Sequence, residues 1–164
     1  MPYMGRGKSS TGGNERSAYD RGLSMLARRE YSQRELRARL ERAGCDEEES
    51  ESALHKLREQ RYQDDGRFGE MIVRARVGQG YGPARIRAEL RSHGLPDAAI
   101  RDLLEGAEAD WQAIARVQLR KKYGSRPAAD HVERGKRAAF LLRRGFAAAT
   151  VRIVTHSDVD SPDD

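Results

Sequence analysis

The chain has 164 residues, 37% of them apolar and 35% charged, with a formal net charge of +5. That is lean for one thick core and suits thin stacked helices, and no apolar run reaches the length of a membrane span. A single cysteine, Cys45, excludes an internal disulfide and fits a reducing compartment, so a soluble cytoplasmic protein is expected.

Residues 1–17 are rich in Gly and Ser, lack the apolar core of a signal peptide, and are expected to be disordered. Tyr19, Leu23 and Leu26 mark a first helix. Ser32 with Glu35 reads as a capping box that opens a second helix ending at Gly44. Asp46 with Glu49 repeats that signal for a third, whose apolar residues are Ala53, Leu54 and Leu57. The acidic run 46–49 suits the first turn of that helix, where the dipole favours negative charge.

A second unit opens at Asp64-Asp65, with Phe68, Met71, Ile72 and Ala75 on one helical face. The glycines at 78, 80 and 82 break that helix, and Pro83 fits the first position of the next. Ile86 and Leu90 form its face and Gly94 ends it. Pro96 starts a helix carrying Ile100, Leu103, Leu104 and Ala107. A third unit begins at Trp111, with Ile114, Ala115 and Gln118 on one side and a turn at 121–127. Val132, Phe140 and Leu141 mark a longer basic helix ending at Gly145. Val151 and Val154 belong to the last helix, before an acidic tail at 158–164.

The same ending is thus written three times, about fifty residues apart: 36–45, 86–95 and 137–146. Apolar residues stand at i and i+4, and a glycine follows four further on. In the third copy Arg137 replaces the first apolar residue. Gly44, Gly94 and Gly145 suit the left-handed position that stops a helix. The expected fold is all-α, three tandem three-helix repeats at 18–63, 64–110 and 111–157 forming an elongated curved array, each unit burying its apolar face against the next.

Charge is uneven. Residues 19–65 hold ten Lys/Arg and twelve Asp/Glu, residues 66–110 hold seven of each, and residues 116–152 hold eleven Lys/Arg against Asp130 and Glu133 alone. The basic last third favours an anionic partner, nucleic acid or a protein assembled on it. The four histidines show no ligand spacing to one another or to Cys45, and no nucleophile–base arrangement is suggested. The glycine-rich turn at 78–82 lacks the preceding strand and following Lys-Ser/Thr of a phosphate loop. No enzyme, cofactor, metal, small-molecule substrate or membrane partner is expected.

Several spaced motifs resemble one known family. They are DDGRF at 64–68; Arg76, Gly80 and Gly82, then Ile86, Glu89-Leu90 and Gly94; Trp111 with Ala115-Arg116; KYG at 122–124; and FLLRRGF at 140–146. In this order and spacing they are similar to the RecX family of bacterial regulators of the RecA recombinase, over residues 20–155. The resemblance implies three tandem three-helix repeats. It also implies a protein that binds the RecA filament on single-stranded DNA and damps its recombinase, ATPase and co-protease activities, with effects on recombination and the SOS response. Gly78 stands where basic residues are common in the family.

Helix faces select the candidate contacts. With Ile86 and Leu90 inward, Arg85, Arg87 and Arg91 are outward; Arg74 and Arg76 flank the preceding helix end. Tyr81, at the turn tip, either meets a partner or packs under its own turn. In the third unit Lys121, Lys122, Lys136, Arg143 and Arg144 lie off the apolar stripe. Two other functions stay open: direct binding of single-stranded nucleic acid, and a helical scaffold for an acidic protein.

Overall fold

The structure, a computed structural model, describes residues 16–156. Among these residues there are nine α-helices and no strand. The first unit holds α1 (Ala18–Leu26), α2 (Gln33–Arg42) and α3 (Glu47–Glu59); the second holds α4 (Asp65–Gly78), α5 (Pro83–Ser92) and α6 (Asp97–Gly106); the third holds α7 (Trp111–Tyr123), α8 (His131–Arg143) and α9 (Ala148–His156). The expected acidic tail, and all of the expected N-terminal tail but Arg16 and Ser17, lie outside the described residues.

Side-chain caps start most helices. Ser17, Ser32, Asp46, Asp64, Asp110 and Asp130 each accept the backbone N–H three residues on, which satisfies one of the four orphan donors of a helix start. Ser17, expected in the tail, is therefore the N-cap of α1. The capping boxes form only in half. Glu35 turns its carboxylate to Arg29 at 2.6 Å, and Glu49 accepts the Ala18 N–H at 3.1 Å. Glu49 thus ties α3 to α1, and Glu35 ties α2 to the preceding turn, instead of closing back on their own caps.

The three glycine endings are alike in detail. Gly44, Gly94 and Gly145 have φ of 96°, 80° and 95°. Each glycine N–H reaches the carbonyl three residues back, and the N–H after it reaches five back: Cys45 to Leu40, Leu95 to Leu90, Phe146 to Leu141. This is the Schellman pattern, and it explains why an apolar residue follows each glycine, where it packs on the last turn. Leu36, Leu40, Ile86, Leu90 and Leu141 are at most 1% exposed, and burial of each contributes about 1.5–3 kcal/mol. Each unit has its own apolar cluster, and Trp111 packs against those of both the second and third units. Val132, expected on an inward face, is 56% exposed, and Ala107 is exposed too.

The units join through their middle helices, end to start. At the first joint the end of α5 meets the start of α2: Arg34 donates to the Ser92 carbonyl at 3.1 Å, and Ser32 Oγ lies 2.7 Å from His93 Nδ1. At the second the end of α8 meets the start of α5: the Gly82 and Ala84 N–H groups donate to the Arg144 and Gly145 carbonyls at 2.8 and 2.9 Å. At the second joint orphan donors of one helix thus satisfy orphan acceptors of another, while at the first the bridging groups are side chains; at both, dipole ends of opposite sign meet. Gly82 has no capping side chain because the next unit supplies the acceptors. A Cβ there would run into the Gly145 carbonyl carbon and the Phe146 nitrogen, so the close approach requires glycine.

Candidate anion-binding surface at the second joint

In the third unit the only two carboxylates among residues 116–152 are already engaged. Asp130 caps α8, and Glu133 accepts the Ala129 N–H at 2.8 Å and an Arg137 N–H at 3.0 Å. These two bonds, the backbone one foremost, hold the Glu133 carboxyl below its ordinary range. Arg137, the arginine standing in an apolar place, is 4% exposed and also donates to the Arg126 carbonyl at 2.9 Å. Arg116, Arg120, Lys121, Lys136, Arg143 and Arg152 form no ion pair among the described residues. By contrast, Arg29, Arg37 and Arg39 in the first unit and Arg67, Arg76 and Arg91 in the second all meet carboxylates.

The joint orders several of the basic side chains against aromatic rings. Arg85 and Arg144 place their guanidinium carbons 4.0 and 4.3 Å from the centre of the Tyr81 ring. Arg144 also lies 5.8 Å from the Phe140 ring, and Lys122 Nζ lies 4.3 Å from it. Tyr123 meets Phe140 edge-on at 6.0 Å and carries Arg137 at 5.0 Å. Cations and rings therefore alternate in one strip: Arg85, Tyr81, Arg144, Phe140, Lys122, Tyr123. A ring face holds a cation without cancelling its charge, so the strip is positioned yet still positive. That combination fits phosphates, and it fits a single strand that also offers bases.

The sequence-predicted residues divide into groups. Tyr81, Arg85, Lys122 and Arg144 come together in the strip. Lys121, Lys136 and Arg143 are exposed on the same unit. Arg76 is withdrawn: its Nε and Nη2 both donate to Glu89 at 2.7 Å, holding that carboxyl below its ordinary range and the guanidinium above its own. Arg91 pairs with Asp97 at 2.9 Å on the surface, and Arg87 is half-buried. Arg74 is exposed, but it lines a groove between α4 and α6 rather than the strip.

Arg144 needs a correction. Expected on the outer face, it is half-buried, and it donates to the Gln79 carbonyl at 2.7 Å and the Gly80 carbonyl at 3.1 Å. It caps the end of α4 across the joint, so its place off the apolar stripe does not make it dispensable to the fold. Phe140 and Tyr123 were not foreseen as neighbours of the basic side chains. The available signal was their spacing: Phe140 stands three residues after Arg137 and four before Arg144, which shares a helix face with both.

Three models of the RecX family match the chain: its first three-helix domain over residues 18–57, the second over 64–104 and the third over 108–155. A "Regulatory protein RecX" of Stenotrophomonas maltophilia (strain K279a) is 42% identical over 146 residues, which cover 89% of this chain and 90% of the relative. One of Halorhodospira halophila is 43% identical over 144 residues, 88% of this chain and 89% of the relative. Among solved structures, one described as regulatory protein RecX superposes with a TM-score of 0.72 at 25% identity, covering 84% of this chain and 69% of that one. RecX from Lactobacillus salivarius shares the fold with a TM-score of 0.73 at 19% identity, covering 87% and 94%. The relatives' name is that of a regulator, not an enzyme. Three three-helix units in tandem, matched in order by three family domains, make this chain a member of the RecX family of regulatory proteins.

Proposed function

We propose that this chain acts in the cytoplasm on the RecA filament assembled on single-stranded DNA and lowers its strand exchange, ATP hydrolysis and co-protease activity. Recombination and the SOS response are thereby held in check. The reading rests on the family membership. Its physical support is one observation: the joint between the second and third units carries a fixed strip of cations and rings that no carboxylate neutralises. A filament on single-stranded DNA presents phosphates along a groove, and linked weak contacts along it gain from effective concentration.

The test is binding to RecA filaments and to bare single-stranded DNA of the same length, each across a range of salt. Tighter binding to filaments than to bare DNA at every salt supports the proposal. A specific feature favours a second reading, direct binding of single-stranded nucleic acid: the alternation of cations with Tyr81, Phe140 and Tyr123 suits base stacking beside phosphate contacts. Equal binding to filament and bare DNA, with a steep salt slope, would favour that reading.

A further inference from the structure

Between α4 and α6 the second unit leaves an open groove of about 690 Å³. Val73, Val77, Leu95 and Leu103 line it, and Glu70 and Asp102 stand along it as exposed carboxylates with no ion pair among the described residues. Asp65 also lines it, but its Oδ1 already accepts the Gln33 N–H and the Gln63 amide. From Glu70 to Val77 the α4 wall runs about 10 Å at 1.5 Å per residue, two helical turns.

The first unit carries larger side chains at the corresponding places. Counted from the N-caps Asp46 and Pro96, Leu57 and Ala107 hold the same place; counted from Ser17 and Asp64, Tyr19 and Gly66 do. Leu57 is fully buried, and the Tyr19 hydroxyl donates to Gln60 at 2.6 Å. Gly66 and Ala107 supply neither side chain. A Cβ on the neighbouring Gly106 would meet nothing within 4 Å, so the fold itself gives no reason for a small residue there.

We infer that this groove is a docking site for a basic amphipathic helix presented by the protein strand of the filament; the inference rests on the reading of the chain as a filament-binding regulator. Charge selects the occupant. Two unpaired carboxylates, Glu70 and Asp102, stand against one exposed cation, Arg74, along an apolar floor, so the rim is net negative in a chain of net charge +5, which calls for Lys or Arg beside apolar anchors. The two-helix walls and the small residues at 66, 106 and 107 suit a third helix laid along them. The strip at the second joint would meet nucleic acid while the groove meets protein.

The test places in the groove the residues that the first unit carries at these two places, with Gly66→Tyr and Ala107→Leu together. A second variant, Glu70→Lys with Asp102→Lys, reverses the exposed charges without touching the floor. Each is compared with the parent for binding to RecA filaments, for binding to bare single-stranded DNA, and for sedimentation. Both variants should keep the parent's circular dichroism and lose about tenfold or more in filament affinity, equivalent to about 1.4 kcal/mol. The filled variant should hold bare DNA as the parent does. Filament binding unchanged in either variant overturns the groove, as does an equal loss on bare DNA. A parent that self-associates until the groove is filled also overturns it, in favour of a second copy as occupant. A parent that fails to bind filaments at all instead overturns the reading on which the groove rests.

Discussion

The amide of Gly82 donates to the carbonyl of Arg144 at 2.8 Å, so the start of α5 is capped by the end of α8 rather than by a side chain of its own unit. Backbone joins backbone across the repeat boundary, and the side chain of Arg144 closes the same joint on the carbonyls of Gln79 and Gly80.

The three repeat glycines should therefore not be equal. All three have positive φ, so any β-carbon costs about 1 kcal/mol in backbone strain. Gly44 has open space around its would-be Cβ, whereas one on Gly145 would press on the Arg85 backbone. Gly145→Ala should lower the melting temperature by clearly more than the ~2–4 °C per kcal/mol expected for Gly44→Ala. Gly94→Val should lose at least about 1 kcal/mol, since a β-branched residue is strained there. Equal melting temperatures for Gly44→Ala and Gly145→Ala would remove the close joint.

Charge reversal should separate two kinds of cation. Lys121→Glu, Lys122→Glu and Arg143→Glu together alter exposed side chains and should leave circular dichroism unchanged. Binding to the anionic partner should weaken and its salt dependence flatten, because fewer counterions are released. Arg144→Glu alone should lower the melting temperature as well, since it places a carboxylate against two carbonyls. A parent-like salt slope in the triple variant would mean that these cations only solubilise the surface.

Several features were legible in the sequence because they are local. The N-caps Ser32 and Asp46, the proline at 83 and the glycine endings are written within four or five residues, whereas Ser17, expected in the tail, caps α1. The buried places of Leu36, Leu40, Ile86 and Leu90 follow from helical spacing alone. The fate of Arg144 was not legible, because its partners are carbonyls 64 and 65 residues away. Nor was the withdrawal of Arg76, since Glu89 is thirteen residues off and on another helix. Periodicity reports which face a side chain occupies, not which unit lies over that face.

The Arg76–Glu89 pair sets a pH dependence. The Glu89 carboxyl is depressed in the folded chain, chiefly by the Arg76 hydrogen bonds and then by its charge, against the opposing effect of burial. Glu35 is depressed too: burial acts to raise it, but the hydrogen bond and charge of Arg29 and the charge of Arg39 outweigh that. A carboxyl lowered on folding contributes stability above its unfolded value of about 4.3, and that contribution is lost as pH falls through the folded value. Unfolding free energy should be flat from neutral pH to about pH 5 and fall below it. Glu89→Gln should reduce the acid-side slope; a slope identical to the parent's would show that the pair does not carry it.

The tandem joints also bear on overall shape. Each middle helix meets the next end to start, which we propose extends the chain as an elongated, curved array. Solution scattering should give a radius of gyration above the value of about 15 Å expected for a compact domain of this length. A value at or below it would contradict an extended array.

The measurement that bears most directly on the central claim is the rate of ATP hydrolysis by RecA on single-stranded DNA as this protein is titrated in at low salt. The rate should fall at amounts well below one chain per RecA subunit, with strand exchange slowed in parallel. A rate that stays constant in the presence of excess protein would contradict it.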